Sequence, residues 1–266
     1  MHRADVIGSL PARSAACWQA VGMRHLFLDF FGTLVDYSDS RAGQGYTDTH
    51  ASMLALGATG AEHETATAWL QAFHQLNDEA TDDMREFSME ELSRRAIVRL
   101  LGREPDAAEI ADGAASNMAD WERGVVLIPG MAQTLQELSQ SFTLTIVSNT
   151  HSASVVPRQL GAMGAAGSIS HIVTSLEVGY RKPHPAIYQA ALELAEAKAE
   201  QVIFVGDTWD ADFDGPRAQG MEAVLVHPDA RDGVPETRRV TSVLELPDLL
   251  AFRYPSTRPL GTRGAA

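Results

Sequence analysis

The chain has 266 residues, 45% of them hydrophobic and 21% charged, with a formal net charge of −14, the proportions of a globular protein able to bury one large α/β core or a core with a smaller inserted unit. That acidic balance, offset by no basic cluster, repels phosphate backbones and argues against a nucleic-acid partner, while a local cationic pocket can still receive a small anionic substrate. No apolar run approaches the roughly 18 to 20 residues that span a bilayer, and the single cysteine, Cys17, excludes an internal disulfide framework and a cysteine-based metal site, which fits a reducing cytoplasm.

Residues 1–22 carry Arg3 and Arg13 but lack the continuous apolar core of a secretory signal. With Met23 directly before the first apolar run, this leader reads as an unstructured extension or an upstream start, a short packed helix being the alternative. Residues 24–37 then read RHLFLDFFGTLVDY. Leu26-Phe27-Leu28 ends in Asp29 and is followed by Gly32-Thr33, the pattern of a buried strand that delivers a carboxylate to its tip and turns sharply. A carboxylate desolvated there costs several kcal/mol unless a metal, a cation or a reacting group compensates it. Asp29 is therefore the candidate reacting residue.

After Asp36 the pattern turns helical and stays so to about Gly124. Ser88 with Glu91 and Asp106 with Glu109 have the spacing of capping boxes, and Gly57 and Gly102 stand where helices should stop. Met89, Leu92, Ala96 and Leu100 recur at helical spacing, as do Trp69 or Leu70, Phe73 and Leu76, so residues 40–122 read as about four amphipathic helices packed on one another. Their apolar faces can close internally or on a second subunit, which leaves a homodimer open.

From Val125 strands and helices alternate. Pro129-Gly130 precedes a helix with Leu135 and Leu138; Leu144-Thr145-Ile146-Val147 is a strand ending at Ser148-Asn149; Val155–Met163 is helical and Ile172-Val173-Thr174 is a strand. Pro185 opens the next helix, Val202-Ile203-Phe204-Val205 is a strand ending at Gly206-Asp207, and Ala223 starts one more. Such alternation predicts a doubly wound parallel sheet covered by helices, an α/β Rossmann-like fold, with ligands outside the carboxyl ends of the strands. Asp29, Ser148 and Asp207 stand at three such ends, and Lys182 lies in the loop after a fourth. The segment from about Arg253 is rich in Pro, Arg, Gly and Thr and reads as a mobile tail.

With these segments in place, the chain resembles the haloacid dehalogenase-like (HAD) hydrolase superfamily, with a helical cap inserted after the first strand. The resemblance rests on DFFGTLVD, IVSNT, GYRKPHPAIY and VGDTWDADFDG in that order. It implies a core domain at residues 23–38 and 123–252, a cap domain at residues 39–122, and a tail at residues 253–266. It also implies Asp29 as nucleophile, Ser148 binding the transferred group, Lys182 as counter-charge, and Asp207 and Asp212 as the acidic pair of the last motif. A carboxylate nucleophile approaching an anion needs such counter-charge. Asp29, Asp207 and the main-chain carbonyl of Phe31 form an oxygen-only donor set suited to Mg2+.

Each residue also has a duller reading. Asp207 can be a turn former, Asp212 an N-cap for a short helix at residues 213–219, and Ser148 and Thr150 polar strand ends. Lys182 is harder to dismiss, because the chain has only one other lysine, Lys198. Asn149 and Trp209 line the crevice or serve packing; His184, between prolines, reads as a loop residue; Arg41, Tyr46 and His50 near the cap entry read as solvated surface.

The chain departs from most phosphatases of the superfamily at Phe31, where they carry an aspartate that protonates the leaving alkoxide. Without that acid an alcohol leaving group loses a contribution worth ~10²–10⁴-fold. Three readings follow: a Mg2+-dependent phosphohydrolase acting on a small ester or acyl phosphate with a good leaving group; a metal-independent 2-haloacid dehalogenase, which an aromatic residue at position 31 and Ser148-Asn149 resemble; and a binding or regulatory protein that kept the fold. A carbon–phosphorus hydrolase is set aside, since that branch uses a cap lysine and this cap has none.

Overall fold

A computed structural model describes residues 22–37 and 44–253; the proposed leader, Cys17, Arg41 and most of the proposed tail lie outside them. Strand β1 (His25–Leu28) is the centre of the fold. Its apolar residues are wholly buried, as both faces of a parallel sheet require. It lies between β4 (Thr143–Ser148) and β6 (Val202–Gly206) in the six-stranded order β5-β4-β1-β6-β7-β8, with β5 at His171–Thr174, β7 at Glu222–Val226 and β8 at Arg239–Val240. Every pairing is parallel, and Leu28 stands opposite Ile146 on one side and Val205 on the other. That register brings the ends of three neighbouring strands level. The amide of Asp29 continues the ladder by donating to the Val205 carbonyl at 2.9 Å.

Among the described residues, four α-helices lie between β2 (Val35–Tyr37) and β3 (Val125–Leu127): α1 (Thr47–Ala55), α2 (Glu62–Ala80), α3 (Met89–Leu101) and α4 (Ala107–Glu122). The choice between Trp69 and Leu70 for the α2 stripe resolves physically: Trp69 is buried, while Leu70 is 41% exposed. The Asp106 capping box forms in full, with the Glu109 carboxylate accepting from the Asp106 amide and Asp106 accepting from the Glu109 amide. At Ser88 only the forward half is made, because Glu91 turns to Arg94 and Arg95 instead. Gly102 ends α3 in the left-handed conformation. Tyr46 and His50 are not the solvated surface expected of them. Tyr46 is buried with its amide donating to Glu62, and His50 pairs with Thr65 at 2.9 Å.

Two further features differ from the sequence reading. Val125 opens no strand of the main sheet: β3 pairs antiparallel with β2, Val35 opposite Leu127 and Tyr37 opposite Val125, so the chain leaves for and returns from the helices through one two-stranded ribbon. Three-residue strands are too short to show alternation. After β6 the chain makes a π-helical turn at Trp209–Asp214 before the short α-helix Gly215–Ala218, so Asp212 sits inside the turn and not at the N-cap of a helix over residues 213–219. Among the described residues no helix is long and apolar enough to cross a membrane.

Candidate active site

The carboxyl ends of β1, β4 and β6 and the loop after β5 deliver Asp29, Ser148, Asp207 and Lys182 to one crevice, and the π-helical turn adds Asp212. Lys182 is the hub. Its Nζ donates to Asp29 Oδ1 at 2.7 Å and to Asp212 Oδ1 at 2.8 Å, with 2% of its side chain exposed. The attraction of the two carboxylates outweighs burial and holds the ammonium pKa above its ordinary value. Asn149 fixes the lysine from behind, accepting from the Lys182 amide at 2.7 Å and donating to the Lys182 carbonyl at 3.0 Å. A loop residue is thereby positioned as firmly as one on a strand.

Asp207 reaches the same point differently. The Thr33 hydroxyl lies 2.9 Å from Asp29 Oδ2 and 3.2 Å from Asp207 Oδ1, bridging the two side chains although Thr33 and Asp207 are 174 positions apart in sequence. Gly32, with φ +84°, permits the approach, since a Cβ there would overlap the Asp207 carboxylate. Gly206 does the same for Asp212, whose carboxyl fills the place of its missing side chain. Asp212 Oδ2 also accepts from the Thr208 amide at 2.9 Å.

Oxygens of Asp29, Asp207 and Asp212 lie within 4.8 Å of one another. Three carboxyl groups thus face one ammonium. Burial, with the Asp29 charge added, pushes Asp207 up to about 6. For Asp212 burial again dominates and lifts the carboxyl to about 7, against the pull of Lys182. The cluster is short of positive charge, and a hard cation with oxygen ligands matches that deficit.

The remaining residues fall in two groups. Ser148 is fully buried, and its Oγ makes only a long 3.5 Å contact with the Asn149 carbonyl. Phe31 stacks edge-on against Trp121 at 4.9 Å and Phe30 at 5.0 Å. Phe31, two residues past Asp29, and Asn149, bonded to the Lys182 main chain, both line a cavity of about 370 Å³. Trp209 is not among its lining residues; its ring stacks on Phe213 at 4.9 Å beneath the Arg231 guanidinium. His184 caps its own helix, accepting from the Ala186 amide. Sequence reasoning does not single out Gly32, Thr33 and Gly206 as site residues; the DFFGT turn is the signal for the first two and the Gly206-Asp207 strand end for the third.

Sequence reasoning also missed a polar cluster joining the helices to the sheet. Glu86, between α2 and α3, accepts from Ser175 at 2.5 Å and from Arg181 at 2.9 Å and lies 3.0 Å from His151. Burial would raise its pKa, but these partners together hold the carboxyl below its ordinary value.

Comparison with known proteins gives the same outline. A family model described as haloacid dehalogenase-like hydrolase matches residues 23–220. The human haloacid dehalogenase-like hydrolase domain-containing protein 3 is 32% identical over 138 residues, 49% of this chain and 53% of that protein. A ribulose-1,5-bisphosphate 5-phosphatase of Halopiger xanaduensis is 26% identical over 42% of this chain and 46% of its own length. The chain thus spans about half the length of the curated relatives it matches. Among solved structures, a 2-haloacid dehalogenase of Pseudomonas syringae pv. Tomato DC3000 superposes with a TM-score of 0.65 and 23% identity, covering 86% of this chain and 99% of that one, a likeness of fold.

Proposed function

Because the chain belongs to the haloacid dehalogenase-like hydrolase family, we propose that it hydrolyses a small phosphorylated metabolite through a covalent intermediate on Asp29, with Mg2+ bound beside the nucleophile. In this reading residues 23–38 and 123–252 form the catalytic domain and residues 39–122 its cap. The observation that carries it is the placement of Asp207. Its carboxylate is held against Asp29 by Gly32 and Thr33, while the hydrogen bonds of the ammonium go to the other two carboxyl groups. A dehalogenase expelling halide gains nothing from a third carboxylate, half-buried, in its site. A phosphatase gains a metal ligand, and one curated relative is a phosphatase by name.

Asp29, Asp207 and the Phe31 carbonyl would hold the ion, with Asp212 completing the acidic ring. When bound, it offsets the charge of the phosphoryl oxygens and of the carboxylates around it. Asp29 keeps a lone pair on each oxygen after the bonds from Lys182 and Thr33, so either oxygen can attack phosphorus. The phosphorus–oxygen bond to the leaving group breaks, and water then cleaves the aspartyl phosphate and restores Asp29. Lys182 moderates the repulsion between nucleophile and substrate, Asn149 keeps it in place, and Ser148 Oγ is available to the transferred group. Phe31 offers no proton, so groups that leave readily as anions are favoured.

A substrate panel with and without Mg2+ tests this. Acetyl phosphate and nitrophenyl phosphate are expected to be cleaved much faster than sugar phosphates, and all turnover is expected to stop on chelation. Metal-independent chloride release from 2-chloropropionate would establish the dehalogenase reading instead, and a panel without any turnover the non-catalytic one.

A further inference from the structure

The cavity lined by Phe31 and Asn149 has a composition unlike the rest of the site. Phe31, Tyr37, Phe73, Met118 and Trp121 form much of its wall, and none of its lining side chains is a carboxylate, a lysine or an arginine. Tyr37 and Trp121 sit at the ends of β2 and α4, the ribbon and the last helix of the insert, and Phe73 comes from the middle of α2. The rings support one another: Phe31 meets Trp121 at 4.9 Å and 83°, Tyr37 meets Trp121 at 5.3 Å and 42°, and Phe31 lies 6.0 Å from Tyr37. Packed aromatic sets of this kind keep their shape without a ligand, so little ordering is needed on binding.

The cavity begins where the reacting groups end. Phe31 is two residues past Asp29, and Asn149, also on the wall, is bonded to the Lys182 main chain in both directions. A substrate whose phosphoryl group sits at Asp29 therefore projects its leaving group into this space. Among the described residues the wall offers no lysine or arginine to a second phosphoryl or carboxylate group, and a polyol would leave most of its hydroxyls without partners. Size decides further: a dry cavity of about 150 Å³ takes up benzene, so about 370 Å³ accommodates a substituted or fused ring, and a halide would leave it nearly empty. His151, also on the wall, is fixed with Nδ1 3.0 Å from both Glu86 Oε1 and the Phe87 carbonyl. Both neighbours are acceptors, so Nδ1 carries the proton and Nε2 is left for one polar edge of a ligand.

We propose that this cavity receives the leaving group as an uncharged, ring-bearing, largely apolar body, and that Phe31, Phe73 and Trp121 set that specificity. The substrate class is then an aryl or arylalkyl phosphate, an assignment that rests on the phosphohydrolase reading for its chemistry but not for its cavity.

Two arms test it on the full chain. In the first, with Mg2+ present, benzyl phosphate is compared with ethyl phosphate, whose leaving alcohols are of similar acidity. The expected kcat/KM ratio is roughly 30- to 100-fold, the gain from removing a phenyl-sized apolar surface from water. It is expected to fall below about fivefold in Trp121→Ala and Phe73→Ser, since most of that burial is then lost. The second arm needs no turnover: binding of 4-fluorobenzyl alcohol is followed by fluorine NMR on the wild-type protein and on Phe73→Ser. Equal rates for the two esters overturn the proposal. If neither these esters nor nitrophenyl phosphate is cleaved but the fluorinated alcohol binds and the variant loses it, the phosphohydrolase reading fails and the cavity assignment stands. If no alcohol binds and benzyl phosphate gains nothing over ethyl phosphate, the cavity assignment fails.

Discussion

Replacing Gly32 with alanine adds one methyl group at the point where the β1 loop touches Asp207, and the structure sets the size of the effect. An L-residue held at φ +84° costs about 1–2 kcal/mol. The new methyl also takes the space of the Asp207 carboxylate. That group must then leave the Thr33 hydroxyl, now 3.2 Å away, a loss of about 0.5–1.5 kcal/mol. The expected destabilisation is about 1.5–3.5 kcal/mol, or roughly 3–14 °C in Tm for a chain of this length. Displacing Asp207 is expected to raise the Mg2+ concentration for half-maximal activity by at least about tenfold, 1.4 kcal/mol of ligand energy. Thermal unfolding and Mg2+ titration of Gly32→Ala, Asp207→Ala and the double variant form a cycle that separates the two contributions. With Asp207 truncated, the alanine should cost only its backbone share. If Gly32→Ala unfolds within about 0.5 kcal/mol of wild type, the resolution expected of a neutral surface change, and keeps its Mg2+ dependence, the close approach argued here is wrong.

Other outcomes follow from the same cluster. Asp207 and Asp212, raised by burial to about 6 and about 7 from 3.8, bind more protons in the folded than in the unfolded chain between those limits, so metal-free stability should fall as pH rises from about 4 to about 7. Mg2+ competes with those protons and should raise Tm more at pH 8 than at pH 5, and EDTA should reverse it; a pH-independent increment would contradict this. Lys182→Met keeps a similar shape but strips the counter-charge from two buried carboxyl groups, which should lower stability by about 3–5 kcal/mol and turnover by at least ~10²-fold, measured by urea unfolding and steady-state kinetics. Phe31→Asp restores an acid at the expense of the Trp121 and Phe30 ring contacts; its kcat on ethyl phosphate relative to acetyl phosphate should rise, with ~10²–10⁴-fold as the ceiling.

The residues that sequence reasoning identified share one property: each interrupts a pattern. Asp29, Ser148 and Asp207 stand out because a strand buried on both faces is apolar throughout, so a polar residue at its end has to be there for another reason. Lys182 stands out by scarcity. The parallel α/β fold, legible from the same alternation, is borne out by the sheet order and by the family match. Gly32, Thr33 and Gly206 interrupt nothing, since glycine and threonine are ordinary in turns, and their importance comes from side chains distant in sequence. Glu86 reads as a solvated acid in a polar loop, and only the fold shows Ser175, Arg181 and His151 closing around it. An aromatic residue such as Trp209 announces contact without saying with what; here the contacts are Phe213 and Arg231.

The near absence of lysine also makes the interior of this protein chemically addressable. Lys198 is the only other side-chain amine in the sequence, so an acylating reagent applied to the native protein has one such amine within reach while Lys182 stays sealed beneath its two carboxylates. The rate at which a label appears on Lys182 itself would time each opening of the crevice, residue-resolved and without any substrate.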